Sequence, residues 1–225
     1  METKEKGTII FDYDGTIHNT LLIYEPAFRQ VFTRLVREGH TSEQTISSER
    51  ISHWLGMNVH EMWEDFLPDL SPEIKEQAGK QVGDNMLCFL RAGLGSWYPE
   101  ITLTLEQLKK AGYRLVILSN CKTRYRDLNW EIYHMDRWFD HFYDCETFGF
   151  APKTEIIRTI IAEHPGPCLV VGDRASDMAA ARAAGLPFIG CLYGFAEPGE
   201  LEGADALVQK GQDILSAVRS LLSAE

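Results

Sequence analysis

The chain has 225 residues, 44% of them hydrophobic and 24% charged, a globular composition that excludes a disordered or low-complexity chain. Lys and Arg number 22 against 33 Asp and Glu, a net charge of −11, which argues against nucleic acid and anionic membrane surfaces as partners. No apolar run approaches the roughly 18 residues of a membrane span. No signal-type apolar segment precedes the first strand. The five cysteines (Cys88, Cys121, Cys145, Cys168, Cys191) are scattered and never spaced C-x-x-C, so a reducing cytoplasm is expected rather than disulfides or zinc.

In chain order, residues 8–11 are a short apolar run closed by Asp12, the pattern of a buried strand. No strand is expected from 17 to 97. Helical spacing instead runs over 26–38, opening at Pro26. A second helix starts at Ser47-Ser48 and leads to Leu55. A third starts at Ser71-Pro72, a capping serine followed by proline in the first helical position, and leads to Arg91. Such an all-helical stretch of roughly eighty residues is an inserted subdomain rather than a loop, with Gly93, Gly95 and Pro99 marking the return. Helix 100–111 follows, with Lys109 and Lys110 in its last turn and Gly112 closing it, and then strand 114–119. Residues 142–145 are a weaker strand candidate. Helix 153–163, strand 168–171, helix 176–184 closed by Gly185, and strands 187–190 and 206–208 complete the chain. Unalternating apolar strands separated by helices imply an α/β fold, a doubly wound parallel sheet covered on both faces. The expected division is a core of 1–16 and 98–225 interrupted by an all-α insert of 17–97.

The strongest chemical signal is Asp12-Tyr-Asp14-Gly15-Thr16 at the end of the first strand. Open α/β sheets bind ligands at that edge. Side chains at i and i+2 point the same way, so Asp12 and Asp14 can face one small site, where two carboxylates call for a cation or a shared proton. Asp and Gly also commonly do no more than end a strand. Ser119-Asn120 closes a second strand with a hydroxyl and a backbone N–H suited to a phosphoryl oxygen, or serves as a helix cap. Gly172-Asp173-Arg174-Ala-Ser-Asp177 places two more acids one helical turn apart, where they can look at one point or complement a helix dipole. Lys153 opens a helix against the dipole, which makes it either a functional residue or a solvated lysine.

Four such motifs in this order make the chain resemble the haloacid dehalogenase superfamily, specifically its phosphatase branch with a helical cap after the first strand, and phosphoglycolate phosphatases most of all. The resemblance continues through Trp97-Tyr98-Pro99, Ala183-Ala-Gly185-Leu-Pro, Gly190 and Tyr193-Gly194-Phe195. It implies a phosphoaspartyl mechanism with Asp12 as nucleophile and Asp14 as general acid and base. Ser119 and Asn120 are then expected on the phosphate, with Lys153 offsetting charge on both nucleophile and phosphate. Mg²⁺ is expected on Asp12, Asp173, the backbone carbonyl of Asp14 and, through water, Asp177. The implied substrate is a small phosphorylated metabolite, and the implied alternatives are a phosphomutase using the same motifs or a non-catalytic binding relative.

The chain departs from the family at Thr154, where proline commonly follows the lysine, and at Ile17-His18-Asn19-Thr20, which alters the hinge of the insert. His18 is either a substrate contact or an ordinary hinge histidine. The aromatics and methionines of the insert (Tyr24, Phe28, Phe32, Trp54, Met57, Met62, Trp63, Phe66, Met86, Phe89) stand at the spacing of a helical core. Lys122-Thr-Arg124-Tyr-Arg126 reads as a solvated helix face, and Arg174 as a brace for its own motif.

Overall fold

A computed structural model describes residues 6–57 and 59–222. Strand β1 (Gly7–Phe11) is followed by four helices, α1 (Leu21–Arg37), α2 (Ser48–His53), α3 (Val59–Phe66) and α4 (Pro72–Arg91). The remainder runs α5 (Ile101–Lys110), β2 (Tyr113–Ser119), α6 (Thr123–Ile132), β3 (His141–Asp144), α7 (Lys153–Glu163), β4 (Cys168–Gly172), α8 (Ala175–Ala183), β5 (Phe188–Cys191), β6 (Ala206–Val208) and α9 (Ile214–Leu222).

The described strands form one parallel sheet in the order β3-β2-β1-β4-β5-β6. Chain order reverses direction between β3 and β4, so right-handed crossovers put α5 and α6 on one face and α7 and α8 on the other. That is the doubly wound α/β arrangement. Ile10, Val116 and Val170, one from each central strand, share a face with Ile156, Ile157 and Ile160 of α7 and Ala180 and Ala181 of α8. Phe11 lies level with Ile117 of β2 and Val171 of β4. The register therefore delivers Asp12, Ser119 and Asp173 to the same edge of the sheet, the carboxyl ends of its three central strands.

The chain divides into two compact units, one running to Asn19 and resuming at Trp97, the other Thr20–Ser96. The first crossing falls three residues later than the sequence suggests, and the second one residue earlier. The cause is local hydrogen bonding. Ile17 and His18 both donate to the Tyr13 carbonyl at 2.9 Å, and Tyr98 N–H reaches the Ile17 carbonyl at 2.9 Å. His18 also bridges to Trp97, so the two passages of chain are stitched to each other inside the sheet unit.

In the helical unit, α4 begins at Pro72 behind Ser71, whose hydroxyl accepts from Ile74 N–H at 3.4 Å. Ser47 caps α2 in the same way from Arg50 N–H at 3.2 Å. Helix α1 corrects the sequence reading, because it starts at Leu21 and carries Pro26 inside it. A proline in the second turn removes a single i→i−4 bond, and the buried stripe Ile23, Tyr24, Ala27, Phe28, Val31 holds the turn in place. Phe28 sits at the centre of the unit's core, with ring centroids 5.0 Å from Trp54, 5.2 Å from Phe66 and 6.3 Å from Phe32. Those aromatics pack a bundle, as their spacing suggests.

Candidate active site

The functional side chains stand at strand ends, in the turns after them and in the first turns of the helices that follow. Asp12 continues β1, its N–H donating to the Val171 carbonyl of β4 at 2.8 Å. Gly15 then turns the chain with φ of 96°. A Cβ there would fall 2.1 Å from Asp173 Oδ2, so only glycine lets the β1 loop approach the β4 acid this closely. Thr16 hydroxyl donates to Asp173 Oδ1 at 3.0 Å, and Phe195 N–H donates to Asp173 Oδ2 at 2.7 Å. Gly194 completes this cradle, since a Cβ on it would meet both Asp173 Oδ2 and the Gly15 carbonyl at 2.5 Å.

Lys153, the first residue of α7, is buried, and its ammonium lies 2.5 Å from Asp12 Oδ1 and 2.6 Å from Asp177 Oδ1. Asp177 does two things at once. Its Oδ2 accepts from Arg174 N–H at 3.1 Å, capping α8, while its Oδ1 takes the lysine. Asp12, Asp173 and Asp177 each offer an oxygen within 4.8 Å of the others, and all three are buried. Burial and the neighbouring Asp177 charge raise the Asp12 carboxyl well above its ordinary range, although Lys153 pulls it down. Asp173 rises to about 7 for the same two leading reasons. Lys153 is pushed upward by Asp12 and Asp177, which outweigh its own desolvation.

Asp14, whose charge also reaches Asp12, has hydrogen-bond partners of its own. Its Oδ1 accepts from the Tyr125 hydroxyl at 2.9 Å and its Oδ2 from the Ser119 hydroxyl at 3.4 Å. Ser119 in turn accepts from Cys121 N–H at 3.2 Å, whereas the residue capping α6 is Lys122. The Asn120 side chain is exposed, and its carbonyl accepts from Cys145 Sγ at 2.9 Å. His18 is fully buried and stacked on Tyr13 at 5.4 Å, and burial drops its pKa to about 3. Arg126 is not merely a solvated charge, because it pairs with the buried Asp144 at the end of β3. Arg174 braces its motif through Glu200, at 2.9 Å. Sequence reasoning did not single out Tyr125 as a partner of Asp14 or the backbone N–H of Phe195 as one of Asp173. Both depend on which loops meet in space rather than on a motif.

Three buried carboxylates against one ammonium leave two negative charges uncompensated when all are ionised. An all-oxygen donor set of that charge suits a hard divalent cation such as Mg²⁺.

A doubly wound sheet carrying an acidic cluster, a buried lysine and a hydroxyl at its carboxyl edge lacks, in the β1 turn, the glycine-rich fingerprint of a dinucleotide binder. The model of the haloacid dehalogenase-like hydrolases matches residues 6–185, and that of the HAD-hydrolase-like family matches 151–220. The chain belongs to the haloacid dehalogenase-like hydrolase family and is a hydrolase of the phosphatase kind.

It is similar to the phosphoglycolate phosphatase of Aquifex aeolicus, 27% identical over 192 residues, covering 83% of this chain and 85% of that one. It is also similar to the plasmid-borne phosphoglycolate phosphatase of Cupriavidus necator, 32% identical over 136 residues, 58% of this chain and 57% of that protein. The structure of CbbY from Rhodobacter sphaeroides in complex with phosphate shares the fold, with a TM-score of 0.76 at 20% identity over 92% of this chain and 96% of that one. No helix among the described residues is long and apolar enough to cross a membrane.

Proposed function

We propose that this chain is a Mg²⁺-dependent phosphatase that hydrolyses a small phosphomonoester, in the manner of phosphoglycolate, through a phosphoaspartate on Asp12. The observation that carries the reading is Lys153 held between Asp12 and Asp177 beside Asp173. An ammonium ion-paired to the nucleophile is placed to meet the charge of an incoming phosphate. Asp12, Asp173 and Asp177 would hold the divalent cation, which when bound supplies charge neutralisation and polarises phosphoryl oxygens.

Asp12 attacks phosphorus with its carboxylate while the bond to the leaving oxygen breaks. Asp14, protonated at the outset, gives its proton to that oxygen and later takes one from the water that attacks the phosphoaspartate. The Ser119 hydroxyl and the backbone after β2 hold a phosphoryl oxygen, with Asn120 at the entrance. The unit Thr20–Ser96 is assigned the choice of substrate, as inserted lids commonly are, and the reducing cytoplasm is the assigned location.

Phosphate release from 2-phosphoglycolate and a panel of other phosphomonoesters tests the reading. Activity should vanish in EDTA and return with Mg²⁺. Asp12→Asn should lower it by more than about a thousand-fold. An Asp12→Asn enzyme as fast as wild type would refute the covalent route.

A further inference from the structure

Tyr125 is the third residue of α6, and the sequence gives it no motif. Its hydroxyl donates to Asp14 Oδ1 at 2.9 Å and lies 3.3 Å from His18 Nδ1. The other oxygen, Oδ2, accepts from the Ser119 hydroxyl at the longer distance of 3.4 Å. Helix α6 is fixed against the β1 loop independently of that contact. Tyr13 hydroxyl donates to Asn129 Oδ1 at 2.7 Å, and Asn129 Nδ2 donates back to the Tyr125 carbonyl at 2.8 Å. Tyr13, Tyr125 and Asn129 are all buried, so the phenol is delivered to Asp14 by packed structure.

A free carboxylate has two equivalent oxygens and two rotamer-related ways to present its proton. The shorter phenolic bond to Oδ1, against the longer serine bond to Oδ2, ends that equivalence, because the more strongly bonded oxygen becomes the poorer base. We infer that Tyr125 is a positioning residue that holds Asp14 Oδ1 as a permanent acceptor and so confines proton exchange with substrate and water to Oδ2. The phenol has a single proton and gives it to Asp14, so the His18 contact is completed by a hydrogen on Nδ1. The result is a polarised chain from His18 Nδ1–H through the Tyr125 hydroxyl to Asp14.

This rests on the phosphatase reading, in which Asp14 is the acid and base. In the first half-reaction the Asp12–phosphorus bond forms and the bond to the leaving oxygen breaks. That oxygen keeps the electron pair and takes the proton from Oδ2. In the second, water oxygen bonds phosphorus, the Asp12–phosphorus bond breaks, and a water proton goes to Oδ2.

The test is leaving-group dependence. An alkoxide must be protonated as it departs, whereas p-nitrophenolate leaves without a proton. The rates to compare are kcat/KM for p-nitrophenyl phosphate and for whichever of 2-phosphoglycolate, glycerol 3-phosphate and glucose 6-phosphate the wild type hydrolyses best. Tyr125→Phe keeps the ring and removes the oxygen, and should raise the aryl-to-alkyl ratio about ten-fold, part of the 10²–10⁴ that a positioned acid contributes. Asp14→Asn should raise it further. Both rates come from one preparation, so the ratio is independent of the folded fraction. A ratio unchanged in Tyr125→Phe but raised in Asp14→Asn overturns the inference and leaves the phosphatase reading standing. A ratio unchanged in both removes Asp14 as acid and the inference with it. No release from any ester by the wild type overturns the phosphatase reading itself.

Discussion

Replacing Lys153 by methionine keeps an unbranched side chain one atom shorter and removes the charge that lies 2.5 Å from Asp12 and 2.6 Å from Asp177. Breaking a buried pair by deleting one partner costs about 3–5 kcal/mol, because the other partner is left charged in a poor solvent. In a chain of this size each kcal/mol moves the melting temperature by roughly 2–4 °C, so Lys153→Met should melt on the order of 10 °C below wild type at alkaline pH. The deficit has a definite pH dependence. Asp12 and Asp173 already titrate above the ordinary carboxyl range, Asp173 at about 7, and Lys153 holds both down. Without it they rise further. A carboxyl whose folded pKa exceeds its unfolded value binds protons more tightly when folded, so its penalty is absent below about pH 4 and complete only above the folded pKa. The gap between variant and wild type should therefore be small at pH 5 and large at pH 8. Thermal melts followed by circular dichroism in EDTA at the two pH values measure it. Mg²⁺ at about a hundred times its dissociation constant should return about 2.7 kcal/mol to a folded chain that binds it. A gap equal at both pH values, or wider at pH 5, would refute this account of the cluster.

Gly15→Ala forces a Cβ to within 2.1 Å of Asp173 Oδ2 at a φ of 96°. A displacement of about 1 Å in this cluster should lower kcat/KM by about a hundred-fold; a variant within two-fold of wild type would show that the β1 loop can yield. Phe28→Ala empties the centre of the Thr20–Ser96 core, where the ring is fully buried among Trp54, Phe66 and Phe32. It should cost about 3–5 kcal/mol in urea unfolding, read from the midpoint at constant slope.

What the sequence makes legible here follows the range of the interactions involved. The strands of the sheet can be read from runs such as Leu115-Val-Ile-Leu because a strand covered on both faces needs no partner to declare itself. Serine caps at 47 and 71 are readable because capping acts over three residues. Helix α3 was not anticipated: at eight residues it is too short for its period to stand out, and Met62 and Trp63 acquire meaning only against Phe28. Helix α1 was read as starting at Pro26 because proline favours a first turn, yet burial of Ile23 and Tyr24 extends the helix through it.

The site divides along the same line. That Asp12, Asp14, Ser119, Lys153, Asp173 and Asp177 matter is visible from their places at strand ends and helix starts. How they sort is not, because i and i+2 side chains on an ideal strand point the same way, and a rule drawn from the strand places Asp12 and Asp14 together. The strand ends at Phe11, however, and Gly15 turns the chain immediately afterwards. Asp12 goes to Lys153 while Asp14 goes to Tyr125 and Ser119. The Lys153 ammonium pulls Asp12 towards the ionised form a nucleophile needs, against burial and the Asp177 charge, whereas Asp14 has two hydroxyl donors in place of an ammonium. The turn at Gly15 gives two acids two residues apart different neighbours, an ammonium for one and two hydroxyls for the other, which suits the separate roles proposed for them.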